Sequence, residues 1–229
     1  MELWVGAINL GLLYAFMTVG VYITSRVFDF PDITVDGSFT TGAGITAVLI
    51  AAGWNPVFAV TAAFILGAIA GSCTALIHTR FHINGLLAGI LVMTALYSIN
   101  LHIMGRSNIP LLNQTTFLTG LQIVNPGFRE EIWIGVVLTA GMILFWLLVS
   151  LFFQTDMGIS MRATGNNPTM SSASGVNVNR MKVVGVALAN GFVGVSGSFV
   201  AQYQGFADMG MGMGTIVIGL AAVIIGEPV

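Results

Sequence analysis

Charge is what this chain most lacks. Only 7% of its 229 residues are Asp, Glu, Lys or Arg, against 56% hydrophobic, and the mean hydropathy is +0.93. A soluble domain of that composition would leave large apolar areas against water, so the chain reads as an integral membrane protein. The few cations are dispersed and the net charge is −2. That excludes nucleic acid as a partner, because phosphate binding needs grouped Lys and Arg. The single cysteine, Cys73, can form no internal disulfide and, lying in an apolar run, is expected to serve packing. No G-x-x-x-x-G-K-[ST] phosphate loop occurs, so this chain is expected to be no enzyme and to bind no cofactor, with any ATP held by another chain. The first apolar run has no basic start and no small-residue cleavage signal, which makes it a retained span and not a secretory peptide.

What the sequence does contain is a succession of apolar runs, at residues 3–24, 38–52, 57–77, 86–103, 132–153, 183–202 and 215–225. They predict an all-α polytopic membrane protein of about seven spans, a single transmembrane domain over 1–229. The second run is short and open to three readings, tilted, broken or re-entrant, and the last reads as a span cut short. Seven crossings would gather Arg26, Arg80, Arg162, Arg180 and Lys182 on one face and leave Arg106 and Arg129 opposite. Cytoplasmic loops carry excess Lys and Arg, so residues 154–182 are expected in the cytoplasm and 104–131, with Glu130 and Glu131, outside. Many of the 29 glycines fall at packing intervals. Gly67 and Gly71, and Gly85 and Gly89, are four apart, and Gly191, Gly194 and Gly197 step by three, as in helices whose backbones approach closely in lipid.

Two polar stretches interrupt this pattern. In 154–182, Asn167 suits a helix N-cap, Pro168 the first helical position and Gly175 a left-handed stop, which predicts a short helix over about 168–174. Met170 and Ala173, with Val176 beyond, recur every three residues and give that helix one apolar face, the pattern of a docking element. In 28–38, Asp29, Asp32 and Asp36 lie beside apolar spans, with Pro31 and Gly37 expected to interrupt any helix. Those carboxylates must reach water or line a wet cavity formed by a broken helix; a surface turn and a broken helix both fit. His78 and His82 have helical ligand spacing but no further ligands, and read as an interfacial pair beside Arg80. Met209, Met211 and Met213 alternate with glycines; a flexible membrane-adjacent turn accounts for them better than a soft-metal site, for want of His or Cys. Asn113 opens a glycosylation sequon with no bearing on a bacterial cytoplasmic membrane protein.

The stretches DITVDGS at 32–38, MGI at 157–159, RATGNNP at 162–168 and SGVN at 174–177, with the glycine-rich span 191–197, resemble the permease subunits of ABC importers for branched-chain amino acids, ribose and related solutes. The resemblance covers nearly the whole chain. It implies that 167–175 is a coupling helix seated on a separate ATPase, with Arg162, Gly165, Asn167, Pro168, Met170, Ala173, Gly175 and Val176 serving that contact. It implies a path for a small solute lined by Asp32, Thr34, Asp36, Gly37 and Ser38 of a broken second helix, and by Tyr97 and Asn100. The run LLAGILVMTALYSINL at 86–101 looks most similar to an amino-acid branch that includes tryptophan uptake. The partners implied are a second permease subunit, identical or not, two ATP-binding subunits holding ATP and Mg, an extracytoplasmic solute-binding protein and membrane lipid. Ser171, Ser172 and Ser174 depart from the Ala, Leu or Arg usual in the family's coupling helix, and family members continue past Gly226-Glu227. Two other classes stay open: a secondary transporter or channel working without an ATPase, and a membrane interaction subunit that transports nothing. A secondary transporter would place ionisable residues within its spans.

Overall fold

A computed structural model describes residues 2–112, 114–117, 119–120 and 130–227. Arg129 and the sequon at Asn113 lie outside the described residues. Among the described residues the fold is all-helical apart from one two-stranded ribbon. Its helices are α1 (Glu2–Tyr22), α2 (Thr34–Ala51), α3 (Pro56–Phe81), α4 (Gly85–Met104), α5 (Glu130–Gln154), α6 (Asp156–Asn166), α7 (Pro168–Ala173), α8 (Val178–Gln204) and α9 (Thr215–Gly226). Strands β1 (Asn108–Pro110) and β2 (Phe206–Asp208) pair antiparallel, Ile109 opposite Ala207.

Among the described residues, five helices are long and apolar enough to cross a bilayer: α1 with its extension to Val27, α3, α4, α5 and α8. The expected count of about seven is therefore not reached by length and composition alone. α2 is too rich in Thr, Ser and Gly to read as a span, yet 14 of its 18 residues are buried, so it is enclosed by its neighbours and meets little lipid. α9 has 12 residues, a length of about 18 Å at 1.5 Å per residue, and is too short to cross a core of about 30 Å.

α8 is the hub, packing on α3, α2 and α1. The glycines explain how. A Cβ at Gly42 of α2 would press into the backbone of Gly194 of α8, and one at Gly67 of α3 into the backbone of Asn190 and Gly191. Close approach is what small residues at helix interfaces in lipid provide, where apolar contact alone gains little over contact with acyl chains. Polar side chains then lock the register. Thr46 Oγ donates to Ser198 Oγ at 2.7 Å, Ser38 Oγ to Asn190 Oδ1 at 2.7 Å, and Ser196 Oγ to the carbonyl of Leu13 at 2.7 Å. Cys73, expected in the packing, is exposed on α3; the face of α3 that meets α8 is taken by its alanines and glycines, which leaves the larger residues outward.

The second helix is not broken internally. Gly37 lies in the first turn of α2, where its missing side chain makes room for Leu96 and Met93 of α4. The interruption comes earlier. α1 runs on through a π-helical turn, Ile23–Val27, and residues 28–33 are non-helical, with Asp29 at φ 47°. The segment 209–214 is a succession of turns. From the β ribbon it descends along α2, burying Met209 with Ala43 and Ala47, and delivers α9 beside the first turn of α2.

Candidate functional site

Two groups of residues carry the functional expectations, one at the end of the bundle that holds most of the cations and one inside it. At the basic end, the ends of α1 and α3 and the start of α8 come together. Lys182 Nζ lies 3.4 Å from His78 Nε2, whose Nδ1 pairs with the carbonyl of Ile83 at 2.7 Å, and Arg26 pairs with Glu227. His82, in left-handed conformation, ends α3, so the two histidines are a helix-end arrangement and not a ligand pair.

The segment 154–182 forms α6, α7 and the first turns of α8, and each helix starts on a side-chain cap. Thr155 Oγ accepts from Gly158 N, Asn167 Oδ1 from Met170 N at 3.0 Å, and Asn177 Oδ1 from Arg180 N at 3.1 Å. Such a side chain satisfies one of the donors that a helix leaves open at its N-terminus. Pro168 follows the cap as N1, and Gly175 turns the chain at φ 87°. The six-residue α7 is thus bounded as its sequence dictates. It sits on the subunit by one residue, Ser171, which is 5% exposed; Met170, on a flank of the helix, is 69% exposed, and Ala173, on the far side from Ser171, is exposed too. Val176 is half-buried, so it closes the turn against the subunit and does not extend the outward face. Two other expected coupling residues touch the ends of neighbouring helices. Gly165 packs on the backbone of Val27 and Phe28, and the exposed Arg162 donates to the carbonyl of Phe153 at 2.8 Å. These contacts tie the loop to the ends of α1 and α5. The helix α6 has no counterpart in the sequence reading, although Thr155 followed by Asp156 is a start signal.

Within the bundle, the three aspartates of 28–38 part company. Asp29 is exposed, Asp32 and Asp36 are buried. Neither buried carboxylate faces lipid unpaired. Asp32 Oδ1 accepts from Thr34 N at 3.0 Å at the start of α2, and its Oδ2 accepts from Asn190 Nδ2 at 2.6 Å. Thr34 Oγ in turn meets Thr74 Oγ of α3 at 2.7 Å. Asp32, Thr34 and Ser38 therefore join α2 to α3 and α8. Asp36 faces the other way. Its Oδ2 accepts from Gly214 N at 2.9 Å and its Oδ1 from Ile216 N at 2.8 Å and Thr215 Oγ at 2.9 Å, which caps the N-terminus of α9 with a negative group where the helix dipole favours one.

Asp36, Gly37, Tyr97 and Asn100 come together with Thr40, Met93, Met209 and Met213 around a cavity of about 30 Å³. Asn100 is 2% exposed; its Nδ2 lies 3.4 Å from the carbonyl of Gly37, and its Oδ1 has no partner among the described residues. A separate crevice of about 470 Å³ is lined by Ser25, Asp29, Pro31, Asp32, Leu86 and Ile216, among others. Asp36, Gly37, Tyr97 and Asn100 thus share one cavity, and Asp32 lines another. Asn190, which bridges Asp32 and Ser38, was not foreseen; its signal is a lone amide in the glycine-rich stretch of α8.

The profile of the family described as branched-chain amino acid transport system / permease component matches residues 3–227. Among curated proteins, the tyrosine transport system permease protein of Clostridioides difficile (strain R20291) is 41% identical over 215 residues, covering 94% of this chain and 70% of that protein. The ribose import permease protein RbsC of Escherichia coli (strain K12) is 25% identical over 227 residues, 93% of this chain and 65% of RbsC. The probable branched-chain amino acid transport permease protein LivH of Methanocaldococcus jannaschii is 25% identical over 205 residues, 86% of this chain and 64% of LivH. No solved structure matches the chain. The chain is a multi-pass protein of the cytoplasmic membrane and belongs to the ABC-transporter permease family of the branched-chain amino acid type.

Proposed function

We propose that this chain forms half of the solute path of an importer for an aromatic amino acid and that it is driven through α7 by an ATPase on a separate subunit. The observation that carries the reading is α7 itself, a side-chain-capped helix whose Met170 and Ala173 are exposed among the described residues. An apolar face on a six-residue helix outside the bilayer is a docking surface, and Arg162 and Gly165 behind it connect its movement to α5 and α1. ATP and Mg belong to that partner. A second permease subunit, identical or homologous, completes the path, and an extracytoplasmic binding protein supplies the solute at the end bearing the β ribbon. The path runs past the first turn of α2, where Asp36, Gly37, Tyr97 and Asn100 meet.

Tyrosine is the solute of choice for a test, in keeping with the relative named for it and with the aromatic and thioether lining of Tyr97, Met93, Met209 and Met213, although the cavity of about 30 Å³ must widen to admit any solute. The buried carboxylates do not support ion-driven transport, since both are engaged by helix N-terminal donors. The experiment is uptake of labelled tyrosine, ribose and a nucleoside by cells expressing the chain with its ATPase and binding protein. Tyrosine uptake is expected to require ATP hydrolysis and to be competed by tryptophan. Uptake that persists with a hydrolysis-dead ATPase would defeat the coupling, and ribose uptake without tyrosine uptake would defeat the substrate assignment.

A further inference from the structure

We propose that residues 209–214 are a movable plug across the solute path and that Asp36 is the positioning residue that holds the plug shut. The inference rests on the permease reading above and adds a moving part and its fastening. The segment brings Met209 and Met213 to the cavity beside Tyr97 and Asn100, and Met209 is buried.

Its internal bonds are local. Met211 N donates to the Asp208 carbonyl at 3.1 Å, Met213 N to that of Gly210 at 3.0 Å and Thr215 N to that of Gly212 at 3.2 Å. The segment can therefore shift as a unit without breaking its own turns. At its far end Gly214 is in the left-handed region, at φ 82°, a residue able to absorb a large backbone change, while its near end is anchored by strand β2, which pairs with β1. Between the ribbon and α9, the polar ties of 209–214 to the bundle are few. At the ribbon end Met209 N donates to the Ser107 carbonyl at 2.9 Å, and at the other end the Asp36 carboxylate takes Gly214 N, Thr215 Oγ and Ile216 N. Gly212 also packs on the Asp36 backbone, so close to its carbonyl that a Cβ there would collide with it.

Release of the plug frees one wall of the cavity and leaves the opposite wall with a ready acceptor. Asn100 Oδ1, buried and unpaired, is available to an N–H or O–H of a passing solute. The carboxylate is the suitable fastening because both of its oxygens accept. In Asp36→Asn the amide nitrogen would face a backbone N–H or the hydroxyl, so at least one of the bonds from Gly214 and Ile216 is lost.

The test uses a Cys73→Ala chain carrying Met93→Cys on α4 and Met213→Cys on the plug, assembled with its ATPase and binding protein, and a short, reducible bifunctional thiosulfonate. Tying the plug to α4 is expected to lower uptake of labelled tyrosine at least tenfold, and reduction is expected to restore the level of the untreated pair. Fully cross-linked protein that transports as fast as reduced protein would overturn the plug while leaving the permease reading intact. Parent protein that transports nothing would overturn both. A second measurement needs no transport: the cross-linking rate is expected to fall severalfold in Asp36→Asn and less in Thr215→Val, which removes one hydroxyl and no backbone donor. Rates that match the parent in both variants would remove Asp36 from the role.

Discussion

The loop 154–182, proposed to couple to an ATPase, and the bundle interior use the same residues, Asn, Ser, Thr and Gly, to opposite ends. In the loop they act on their own neighbours in sequence: Asn167 on Met170, Asn177 on Arg180, Thr155 on Gly158. In the interior they act across long sequence separations, as in Asn190 with Asp32 and Ser38, Thr46 with Ser198, or Asp36 with Gly214. The first kind shapes a helix that water already tolerates. The second satisfies groups that lipid would leave unpaired and so decides which helices touch. Damage to the loop should therefore cost coupling and spare the fold, whereas damage to the interior should cost the fold first.

The largest effect is expected where two interior backbones meet. Gly42→Val would drive a branched side chain into the backbone of Gly194, where neither partner can give way by rotating a side chain. Overpacking of this kind costs about 3 kcal/mol or more, and membrane levels of the protein should fall to near the detection limit in detergent gel filtration. A well-behaved Gly42→Val protein would break the comparison, by showing that α2 and α8 are not held at this distance. Gly37→Val belongs to the same class, because its side chain would meet Leu96 and Met93, so it reports on packing before it reports on transport.

Next in size is Ala173→Glu. If α7 docks by Ala173 and Met170, a carboxylate buried there without a partner costs at least a few kcal/mol, about a hundredfold in affinity for the ATPase. Normal amounts of membrane protein should then fail to copurify with the ATPase or support uptake. Ser172→Glu tests the edge of that surface. Ser172 is also exposed but lies about 100° around the helix from Ala173, and its change should be mild. Equal losses from both would mean that the partner wraps α7, and no loss from either would detach α7 from transport.

This contrast also explains what the sequence made legible. The bounds of α7 could be read because Asn167, Pro168 and Gly175 act locally, and the positions of the main spans because apolar length is a local property. The continuity of α2 could not. Pro31 and Gly37 look like helix breakers from either side, but whether Gly37 breaks a helix or admits Leu96 depends on α4, some 60 residues away. The same holds for Asp36, whose partners Gly214 and Ile216 are brought to it only by the descent of 209–214 along α2. The gathering of Asp36, Gly37, Tyr97 and Asn100 at one cavity followed from the family resemblance and not from any spacing in the chain.

A middle-sized effect should come from Asn190→Ala, which removes a donor from Asp32 and an acceptor from Ser38 at once. Each buried group left unpaired costs about 1–3 kcal/mol, so the unfolding temperature in detergent should drop by several degrees while cross-linking of α7 to the ATPase is unchanged until the fold gives way. An unfolding temperature equal to the parent's would mean that water or a neighbouring group replaces the amide, and that the interior is less tightly interlocked than its geometry indicates.

The smallest effect sharpens the comparison most, because it sets one cap against another of the same residue type. Asn167 and Asn177 both cap helices by accepting from the N–H three residues on, at 3.0 and 3.1 Å. Loss of such a cap costs about 1 kcal/mol, but the two helices differ in what else holds them. α8 has 27 residues and packs on α1, α2 and α3, whereas α7 has six and rests on the subunit by Ser171. Asn177→Ala should therefore alter neither stability nor uptake. Asn167→Ala should leave the unfolding temperature unchanged, because little of the fold depends on α7, and should weaken ATPase binding by about fivefold, the equivalent of that 1 kcal/mol, since the helix must be re-formed on docking. Asn167→Ser, which restores an acceptor oxygen, should recover most of the affinity. Equal weakening by Asn167→Ala and Asn177→Ala would place the docking energy in the whole loop and not in α7.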